Sequence, residues 1–323
     1  MVYIDIDSTD SRQLSFFLAA EEYVARHVDA DDCFFMWQVD PSVIFGRNQL
    51  IENEVNVGYC REHGIRMFRR KSGGGCVYAD RSNVMFSYIT RDENVNFTFN
   101  RYINMLVLVL YKMGIEAQAT GRNDILINGR KVSGNAFYHL PGRSIVHGTM
   151  LYDTCMEHMV GAITPSDEKL RSKGVESVRQ HIALLKDYTD MSLEAFKAFV
   201  RRNLCHEEMS LGAEAIAEIE RIEKEYLSDA FIYGHNPRYT LVRRHRIEGV
   251  GDMEVRMELK NGIIKQMNLL GDFFVVGDLD LITHRLRGVP LTREALAEAL
   301  PDDLGSIILG LSKSDFIQLL INP

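Results

Sequence analysis

A run of glycines flanked by basic residues is the clearest chemical signal in the sequence. Residues 69–80 read RRKSGGGCVYAD. Successive glycines let the backbone take conformations closed to other residues and approach a ligand closely. Successive N–H groups in such a loop can form a nest for an anion, and Arg70 and Lys71 add positive charge there. The spacings of a P-loop and of a dinucleotide-binding loop are both absent. On these residues alone, an anion-binding loop and an ordinary tight loop are equally open interpretations.

A lysine in a predicted hairpin is the second signal. Residues 121–136 read GRNDILINGRKVSGNA, and the pair Asn128-Gly129 favours a type I′ turn between two short strands. Such a hairpin would fix Lys131 relative to Asn123 and Asp124, so that the lysine could meet an anion with little loss of side-chain entropy. An exposed hairpin lysine without a function is the commoner alternative, and the hairpin alone leaves it open.

Two further segments carry weaker signals. His147-Gly148-Thr149 stands at a predicted strand, where a lone histidine is more often packed or hydrogen-bonded than catalytic. Residues 46–49, GRNQ, follow an apolar strand. They would place polar groups at the mouth of a pocket, or they would form an ordinary strand-end turn.

Helices and strands alternate around these segments. Apolar residues at helical spacing predict a helix over residues 8–28. The pattern further predicts strands over 33–39, 42–45, 66–70, 77–80, 83–90 and within 117–151, and helices over 53–63, 97–113, 156–163, 193–203 and 213–228. A hairpin over 254–269 turns at Asn261-Gly262, and helices follow. We therefore expect a large α/β domain over residues 1–245 and a small α+β domain over residues 246–323.

Composition narrows the class of protein. The formal net charge of −8 argues against a general nucleic-acid binder, which would be basic. The five cysteines are scattered and show no paired metal-ligand spacing, which is typical of free thiols in a reducing compartment. Residues 1–10 lack the pattern of a signal peptide, and the apolar stretch 105–110 is too short to span a bilayer. We expect a cytoplasmic monomer that binds no nucleic acid and no membrane.

Taken together, these segments resemble the lipoate–protein ligase A family. The family's glycine motif is RRxSGGGxVxHD, and its hairpin motif is close to GRNDxxxxxxKxSGxA; both are matched here. The HGT triplet at 147–149, the IFGRNQ at 44–49 and the KLRSKGVESVR at 169–179 also resemble the family, and the segments keep its order. One position departs from the pattern, because Ala79 stands where the family usually has histidine.

The resemblance implies a reaction in two steps. The carboxylate of lipoate attacks the α-phosphate of ATP, which gives lipoyl-AMP and pyrophosphate. A lysine of an apo lipoyl domain then attacks the mixed anhydride, and AMP leaves. The implied acceptors are subunits of 2-oxo acid dehydrogenase complexes and the glycine-cleavage H protein. The implied fold is the biotin/lipoate ligase-like α/β (α+β) catalytic domain, with mixed sheets flanked by helices and a small α+β accessory domain.

The same resemblance implies the roles of individual residues. Lys131 would be catalytic and would contact both the lipoyl carbonyl and the α-phosphate, while Asp124 would help to bind Mg²⁺. The residues expected around ATP or lipoyl-AMP are Arg70, Ser72, Gly73, Gly74, Gly75, Cys76, Val77, Tyr78, Asn83, Asn123, Asp124, Lys131, Gly134, His147, Gly148 and Thr149. Val43–Phe45 and Phe137 would line a slot for the apolar tail. ATP and Mg²⁺ are co-substrates in this scheme, and no tightly bound prosthetic group is expected.

Three other functions remain open at this point. An octanoyltransferase of the same fold would carry the acyl group as a cysteine thioester, for which Cys76 and Cys155 are the candidates, but it would not need the glycine loop. A module that only senses lipoate or lipoyl-AMP would not need Lys131. A biotin ligase would carry a GRGRxG loop, which is absent from the sequence.

Overall fold

The computed structural model describes residues 1–6, 12–92, 94–120, 123–163, 180–233 and 241–321. The chain divides into two units. The large unit comprises Met1–Phe45, Ile51–Arg70 and Cys76–Ile232, and the small unit comprises Gly46–Leu50, Lys71–Gly75 and Tyr233–Pro323. Two short loops from the first part of the chain, including the glycine loop, thus group with the C-terminal part. The boundary between residues 245 and 246 stays a prediction.

Eleven strands are described in the large unit. They are β1 (Val2–Asp5), β2 (Asp32–Trp37), β3 (Ser42–Phe45), β4 (Arg66–Arg69), β5 (Val77–Ala79), β6 (Val84–Thr90), β7 (Ala117–Ala119), β8 (Asp124–Ile127), β9 (Arg130–Leu140), β10 (Arg143–Met150) and β11 (Glu207–Ser210). Eight of them form one sheet in the order β11-β1-β2-β6-β10-β9-β8-β7, and three form a second sheet in the order β4-β3-β5. Both sheets are mixed: β1 runs parallel to β11 and β2, and β3 runs parallel to β4, whereas the other pairs are antiparallel.

The described helices of the large unit surround these sheets. They are α1 (Leu14–His27), α2 (Ile51–Glu54), α3 (Val57–Glu62), α4 (Val95–Lys112), α5 (Met156–Ala162), α6 (Leu193–Leu204), α7 (Ala213–Tyr226) and α8 (Asp229–Ile232), with a 3₁₀ turn at Leu185–Tyr188. The mixed α/β class expected from the sequence is confirmed.

Helix α1 is largely buried in the large unit. Its apolar residues pack into the main core of the large unit, as the helical spacing in the sequence indicated. Two acidic residues lie on it, Glu21 and Glu22, and both are almost completely buried. Buried carboxylates require hydrogen-bond partners, so this helix must contact polar groups on the sheet.

The helix predicted over residues 53–63 is wrong in one respect, because the chain forms two short helices there. Helix α2 ends at Glu54 and α3 begins at Val57. Between them Val55 forms an antiparallel bridge with Ile163, and the side chain of Asn56 accepts a hydrogen bond from the N–H of Tyr59. A tertiary bridge and a helix cap therefore interrupt a sequence that would otherwise read as one helix.

The small unit holds a three-stranded antiparallel sheet and three short helices. Its described elements are β12 (Leu241–Ile247), β13 (Gly251–Lys260), β14 (Ile263–Gly271), α9 (Asp280–Leu286), α10 (Arg293–Ala299) and α11 (Lys313–Ile321). The predicted hairpin at Asn261-Gly262 is confirmed as β13–β14, and β12 extends it. The unit has its own hydrophobic core, centred on side chains such as Met253, Phe273 and Phe316. No helix among the described residues is long and apolar enough to cross a bilayer.

Candidate active site

The three glycines of the glycine loop differ in their surroundings and in their backbone conformation. A Cβ built on Gly73 would lie 2.3 Å from the carbonyl oxygen of Phe273, within the small unit. Gly74 has a φ of 87°, which L side chains rarely adopt. A Cβ on Gly75 would meet nothing within 4 Å. Packing accounts for Gly73 and backbone conformation for Gly74, so Gly75 is the position where the protein itself leaves space.

The loop is tied to the neighbouring strand-end loop at residues 46–50. The N–H of Arg47 donates to the carbonyl of Ser72 (2.9 Å), and Ser72 is completely buried. The side chain of Gln49 accepts a hydrogen bond from the N–H of Gly46 (2.8 Å). GRNQ therefore forms a strand-end turn that supports the glycine loop.

Arg70 is buried beside strand β3 of the large unit. Its N–H donates to the carbonyl of Phe45 (3.1 Å), and its guanidinium donates to the carbonyl of Ile44 (3.0 Å). Burial lowers the pKa of Arg70 to about 10, which leaves it a cation at neutral pH. Neutral carbonyl oxygens do not cancel the charge of the guanidinium. A charged guanidinium can pair with a phosphate or a carboxylate.

Residues 76–79 lead from the loop into strand β5. Cys76 and Val77 are half-buried, Tyr78 is buried, and Ala79 is completely buried in the core of the large unit. Burial raises the pKa of the Cys76 thiol far above its usual value. Since the thiolate is the nucleophile, this environment opposes a thioester at Cys76.

The β8–β9 hairpin brings Lys131, Asp124 and Gly134 together. Asn128 and Gly129 have φ values of 51° and 74°, as the predicted type I′ turn requires. The Nζ atom of Lys131 lies 2.8 Å from Oδ1 of Asp124, and the lysine side chain is 39% exposed. A Cβ on Gly134 would lie 2.8 Å from both Cε and Nζ of Lys131. The lysine therefore lies across a glycine, with its ammonium against a carboxylate.

Asn123 and Gly148 are linked through Asn135. The N–H of Asn135 and its side-chain amide both donate to the carbonyl of Asn123, at 3.0 and 2.9 Å. Asn123 returns a hydrogen bond from its amide to the carbonyl of Asn135 (3.2 Å). A Cβ on Gly148 would lie 1.9 Å from Oδ1 of Asn135. These motif residues thus fix the backbone that precedes Asp124.

His147 is a buried member of a hydrogen-bonded network. Its Nδ1 atom lies 2.9 and 3.0 Å from the two carboxylate oxygens of Glu21. The hydroxyl of Ser87 donates to the same carboxylate (2.6 Å), and the indole of Trp37 donates to Ser87 (2.9 Å). An ionised carboxylate only accepts hydrogen bonds, so the Nδ1 atom of His147 donates to Glu21 when that carboxyl group is ionised. Sequence reasoning missed Glu21, although a glutamate on the apolar face of α1 was a visible signal.

Asn83 and Thr149 are buried and bonded within the protein. The Oδ1 atom of Asn83 accepts from the N–H of Tyr152 (3.1 Å), and its amide donates to Asp80 (3.3 Å). The hydroxyl of Thr149 lies 3.1 Å from the sulfur of Met85. In this arrangement both side chains support strands of the large sheet.

The residues expected around the apolar tail are buried, and some motif residues lie outside the described part of the chain. Val43–Phe45 and Phe137 are buried, and the ring of Phe137 lies 5.5 Å from that of Phe99. Gly121, Arg122 and the KLRSKGVESVR segment lie outside the described residues. Among the described residues, no cluster of three or more histidine, cysteine or acidic side chains could hold a metal ion alone.

Comparisons with known proteins identify the family of this chain. Residues 14–205 match the family model of the lipoyl protein ligase A/B catalytic domain, and residues 236–320 match that of the bacterial lipoate protein ligase C-terminus. Lipoate-protein ligase LplJ of Bacillus subtilis is 34% identical over 99% of this chain and 100% of its own length. Lipoate–protein ligase 1 of Staphylococcus aureus is 33% identical over 94% of this chain and 95% of its own.

Solved structures share the fold. LipL1 of P. falciparum, solved in complex with lipoate, has a TM-score of 0.77 at 19% identity and covers 99% of this chain and 98% of its own. A lipoate-protein ligase A bound with ATP has a TM-score of 0.60 at 21% identity, over 72% of this chain and 97% of its own. The relatives are named as ligases and not as acyltransferases that use a thioester, so the chain is an enzyme that belongs to the lipoate–protein ligase family.

Proposed function

We propose that this chain activates lipoate with ATP and transfers the lipoyl group to a lysine of a partner protein. The observation that carries the proposal is the position of Lys131, whose ammonium is held 2.8 Å from Asp124 across the bare face of Gly134. Relatives solved with lipoate and with ATP support the choice of the two substrates.

Lys131 meets the main electrostatic demand of the first step. The carboxylate of lipoate and the α-phosphate of ATP are both anions, so their approach is opposed until a cation lies between them. A lysine on a rigid hairpin supplies that charge without reorganisation during the reaction, which is the usual source of electrostatic catalysis. Its 39% exposure leaves the ammonium within reach of a ligand.

The glycine loop and Arg70 are assigned to the nucleotide. The open space at Gly75 allows a phosphate to approach the backbone of the loop closely, where N–H groups can donate to it. Arg70 brings a buried positive charge at the end of β4. We propose the same residues around ATP and lipoyl-AMP as the family motifs imply, from Arg70 to Thr149.

Asp124 is suited to hold a Mg²⁺ ion that accompanies ATP. Magnesium in such sites is usually bound by one or two carboxylates together with substrate phosphates, and an all-protein cluster is not required. Asp124 is a single carboxylate, 27% exposed, next to the proposed phosphate-binding lysine. A magnesium ion bound there would neutralise phosphate charge, and Asp124 would orient it.

The second step needs a lysine from another protein. We propose apo lipoyl domains of 2-oxo acid dehydrogenase complexes and the glycine-cleavage H protein as acceptors. An archaeal bipartite lipoate protein ligase of the same fold was studied with its E2 lipoyl domain, which supports the first of these. The domain limits 1–245 and 246–323 and a monomeric state are part of the same proposal. So is a cytoplasmic location, which the free cysteines favour.

One assay tests the proposal directly. The purified protein would be incubated with ATP, Mg²⁺, lipoate and an apo lipoyl domain, and the mass of the acceptor measured. We expect a mass increase of one lipoyl group that requires both ATP and lipoate. An increase that proceeds without ATP from an acylated carrier protein would contradict ligation and favour a thioester route. Lipoate-dependent exchange of labelled pyrophosphate into ATP isolates the first step.

A further inference from the structure

The β8–β9 hairpin that carries Lys131 contains a β-bulge. Near the turn, Leu126 pairs with Lys131, whereas at the start of β8, Asp124 pairs with Gly134. Strand β9 therefore holds one residue more than β8 between these two pairs, and the register shifts between Ile125 and Leu126. An extra residue of this kind bends its strand and changes the direction of nearby side chains. The shape of the hairpin thus depends on what holds the register at its open end.

The shifted register sets Gly134 opposite Asp124. Without the bulge, Asp124 would pair with the residue before Gly134, which is Ser133. Directly opposite residues lie on the same face of a sheet, so a serine side chain would then stand where the Lys131 side chain now crosses a glycine. The bulge therefore keeps open the path along which the ammonium of Lys131 reaches Asp124, at 2.8 Å.

Asn135 holds this register at the open end of the hairpin. Its N–H and its side-chain amide both donate to the carbonyl of Asn123, at 3.0 and 2.9 Å. The side-chain amide of Asn123 donates in return to the carbonyl of Asn135, at 3.2 Å. This pair continues the alignment of Asp124 with Gly134 by one step. Asn123 and Asn135 thus form a clamp that fixes the shifted register, whereas the turn fixes only the other end.

Gly148 gives the Asn135 side chain its place. The two residues are paired on strands β10 and β9. A Cβ on Gly148 would lie 1.9 Å from Oδ1 and 2.8 Å from Cγ of Asn135, whose side chain is buried. The φ of Gly148 is not positive, so the contact with Asn135, and not the backbone conformation, requires glycine here. The bare side of Gly148 is therefore filled by the protein itself.

We propose that Asn135 is a positioning residue for the adenylation step, and that Gly148 is glycine to admit the Asn135 side chain. Asn135 acts through the register of the hairpin, which places the ammonium of Lys131 against Asp124, and it does not touch the substrate. This inference rests on the proposed function, because it requires Lys131 to be the reacting cation. It gives a role to a position that the matched motif leaves open, since the motif reads SGxA at residues 133–136.

Two single variants and their combination test the clamp. In Gly148→Ala the new Cβ must push the Asn135 amide away by about 1 Å, and a misplacement of that size at a catalytic site can cost about 10²-fold in rate. We expect lipoate-dependent pyrophosphate exchange to fall by that order. Asn135→Ala removes one of the three hydrogen bonds, and should lower exchange only about two- to tenfold. The combined variant should match Asn135→Ala, because the other contact of the Cβ, 3.1 Å to the carbonyl of Gly134, needs only a small shift.

The same variants would behave differently if Gly148 were glycine for the sake of a ligand. The loss in Gly148→Ala would then be equal with and without the Asn135 side chain, and the two effects would multiply. That result would overturn the proposal, and so would a Gly148→Ala protein with a wild-type exchange rate. If Gly148→Ala does not fold, folding becomes the readout. The combined variant should then fold, and a combined variant that is also unfolded would overturn the clamp.

A second background separates positioning from stability. In Lys131→Ala protein, neither Asn135→Ala nor Gly148→Ala should lower the remaining exchange further, because residues that act as a unit are not additive. A merely structural role would not depend on Lys131 in this way. Further losses as large as those in the wild-type background would overturn the positioning role.

Gly161→Ala is the matched control. Its Cβ would lie 2.3 Å from the ring of Tyr59, so it also presses on a side chain of the large unit, but on helix α5. We expect it to lower the unfolding temperature and to leave exchange unchanged at temperatures where it is folded. Asn135→Ala should not restore its stability, because effects at independent sites add. Restoration there would show that the rescue of Gly148→Ala is not specific, and would overturn the clamp.

The wild-type protein distinguishes failure of this inference from failure of the proposed function. Wild-type protein without lipoate-dependent exchange would overturn the proposed function, and the positioning role with it. Wild-type exchange that survives Gly148→Ala unchanged would leave ligation intact and overturn only the role of Asn135.

Discussion

Gly134→Ala should separate stability from catalysis. The new Cβ would start 2.8 Å from Cε and Nζ of Lys131, whereas unstrained carbon contacts lie at about 3.5–4.0 Å. The ammonium must therefore move by about 1 Å, and a misplacement of that size can cost about 10²-fold in rate. That factor corresponds to about 2.7 kcal/mol in activation free energy. The atoms that the new Cβ would meet are at the far end of the Lys131 side chain, and the φ of Gly134 is not positive, so the side chain can be displaced while the backbone stays in place.

The same variant should be as stable as the wild type or more stable, although its reaction is slower. Replacing glycine by alanine at a compatible position stabilises a protein by about 0.4–1 kcal/mol, because the unfolded chain loses freedom. We expect an unfolding temperature at or above that of the wild type, together with pyrophosphate exchange reduced about 10²-fold. Gly58→Ala is the control, because its Cβ would meet only the side chain of Asn56, at 3.6 Å. It should leave exchange unchanged.

The effect should act through Lys131 and nothing else. If so, the double variant Gly134→Ala, Lys131→Ala should be no slower than Lys131→Ala alone, since residues that act as a unit are not additive. A Gly134→Ala protein that exchanges pyrophosphate at the wild-type rate would refute the reasoning. It would show that the lysine position seen here is not the one used in the reaction.

Three further outcomes follow from the same site. Lys131→Ala should reduce exchange by about 10²–10³-fold, as loss of one preorganised charge does, with little change in the unfolding temperature; normal exchange would reject its assignment. Glu21→Ala should remove the carboxylate that faces Nδ1 of His147 and accepts from the hydroxyl of Ser87, and should lower the midpoint of thermal unfolding, because a buried donor that loses its acceptor costs about 1–3 kcal/mol; an unchanged midpoint would contradict the buried network. Burial raises the pKa of the Cys76 thiol, so iodoacetamide at neutral pH should label the exposed Cys155 first and ligation should survive Cys76→Ser. A trapped acyl-enzyme at either cysteine would favour the thioester route instead.

Local features of the site could be predicted from the sequence. Helix α1, the Asn128-Gly129 turn and the β13–β14 hairpin follow from apolar spacing and turn chemistry, which act over a few residues. The same turn places Lys131 and Asp124 on neighbouring strands, but they are not opposite each other, because Lys131 pairs with Leu126 and Asp124 pairs with Gly134. The lysine side chain reaches Asp124 by crossing Gly134, which the turn alone does not predict.

Contacts between distant parts of the chain could not be predicted in this way. Glu21 and His147 are 126 residues apart, and neither residue type signals the other. The sequence gives no hint that Gly73 lies against Phe273, since a glycine kept for packing looks like one kept for a ligand. The sequence predicts a binding role for the glycine loop, which stays a prediction, whereas the different surroundings of Gly73 and Gly75 required coordinates.

The pairing of β1 with β11 has a consequence for how the chain is made. Val2 is aligned with Glu207 and Asp5 with Ser210, and the N–H of Leu211 donates to the carbonyl of Asp5. During synthesis, β1 can pair with β2 early, but its other edge stays open until residues 207–210 have emerged. An open strand edge can pair with another chain, and contacts this distant form slowly. Nascent chains that stop between β2 and β11 should therefore be the most prone to aggregate, and release of residues 207–210 should close the edge.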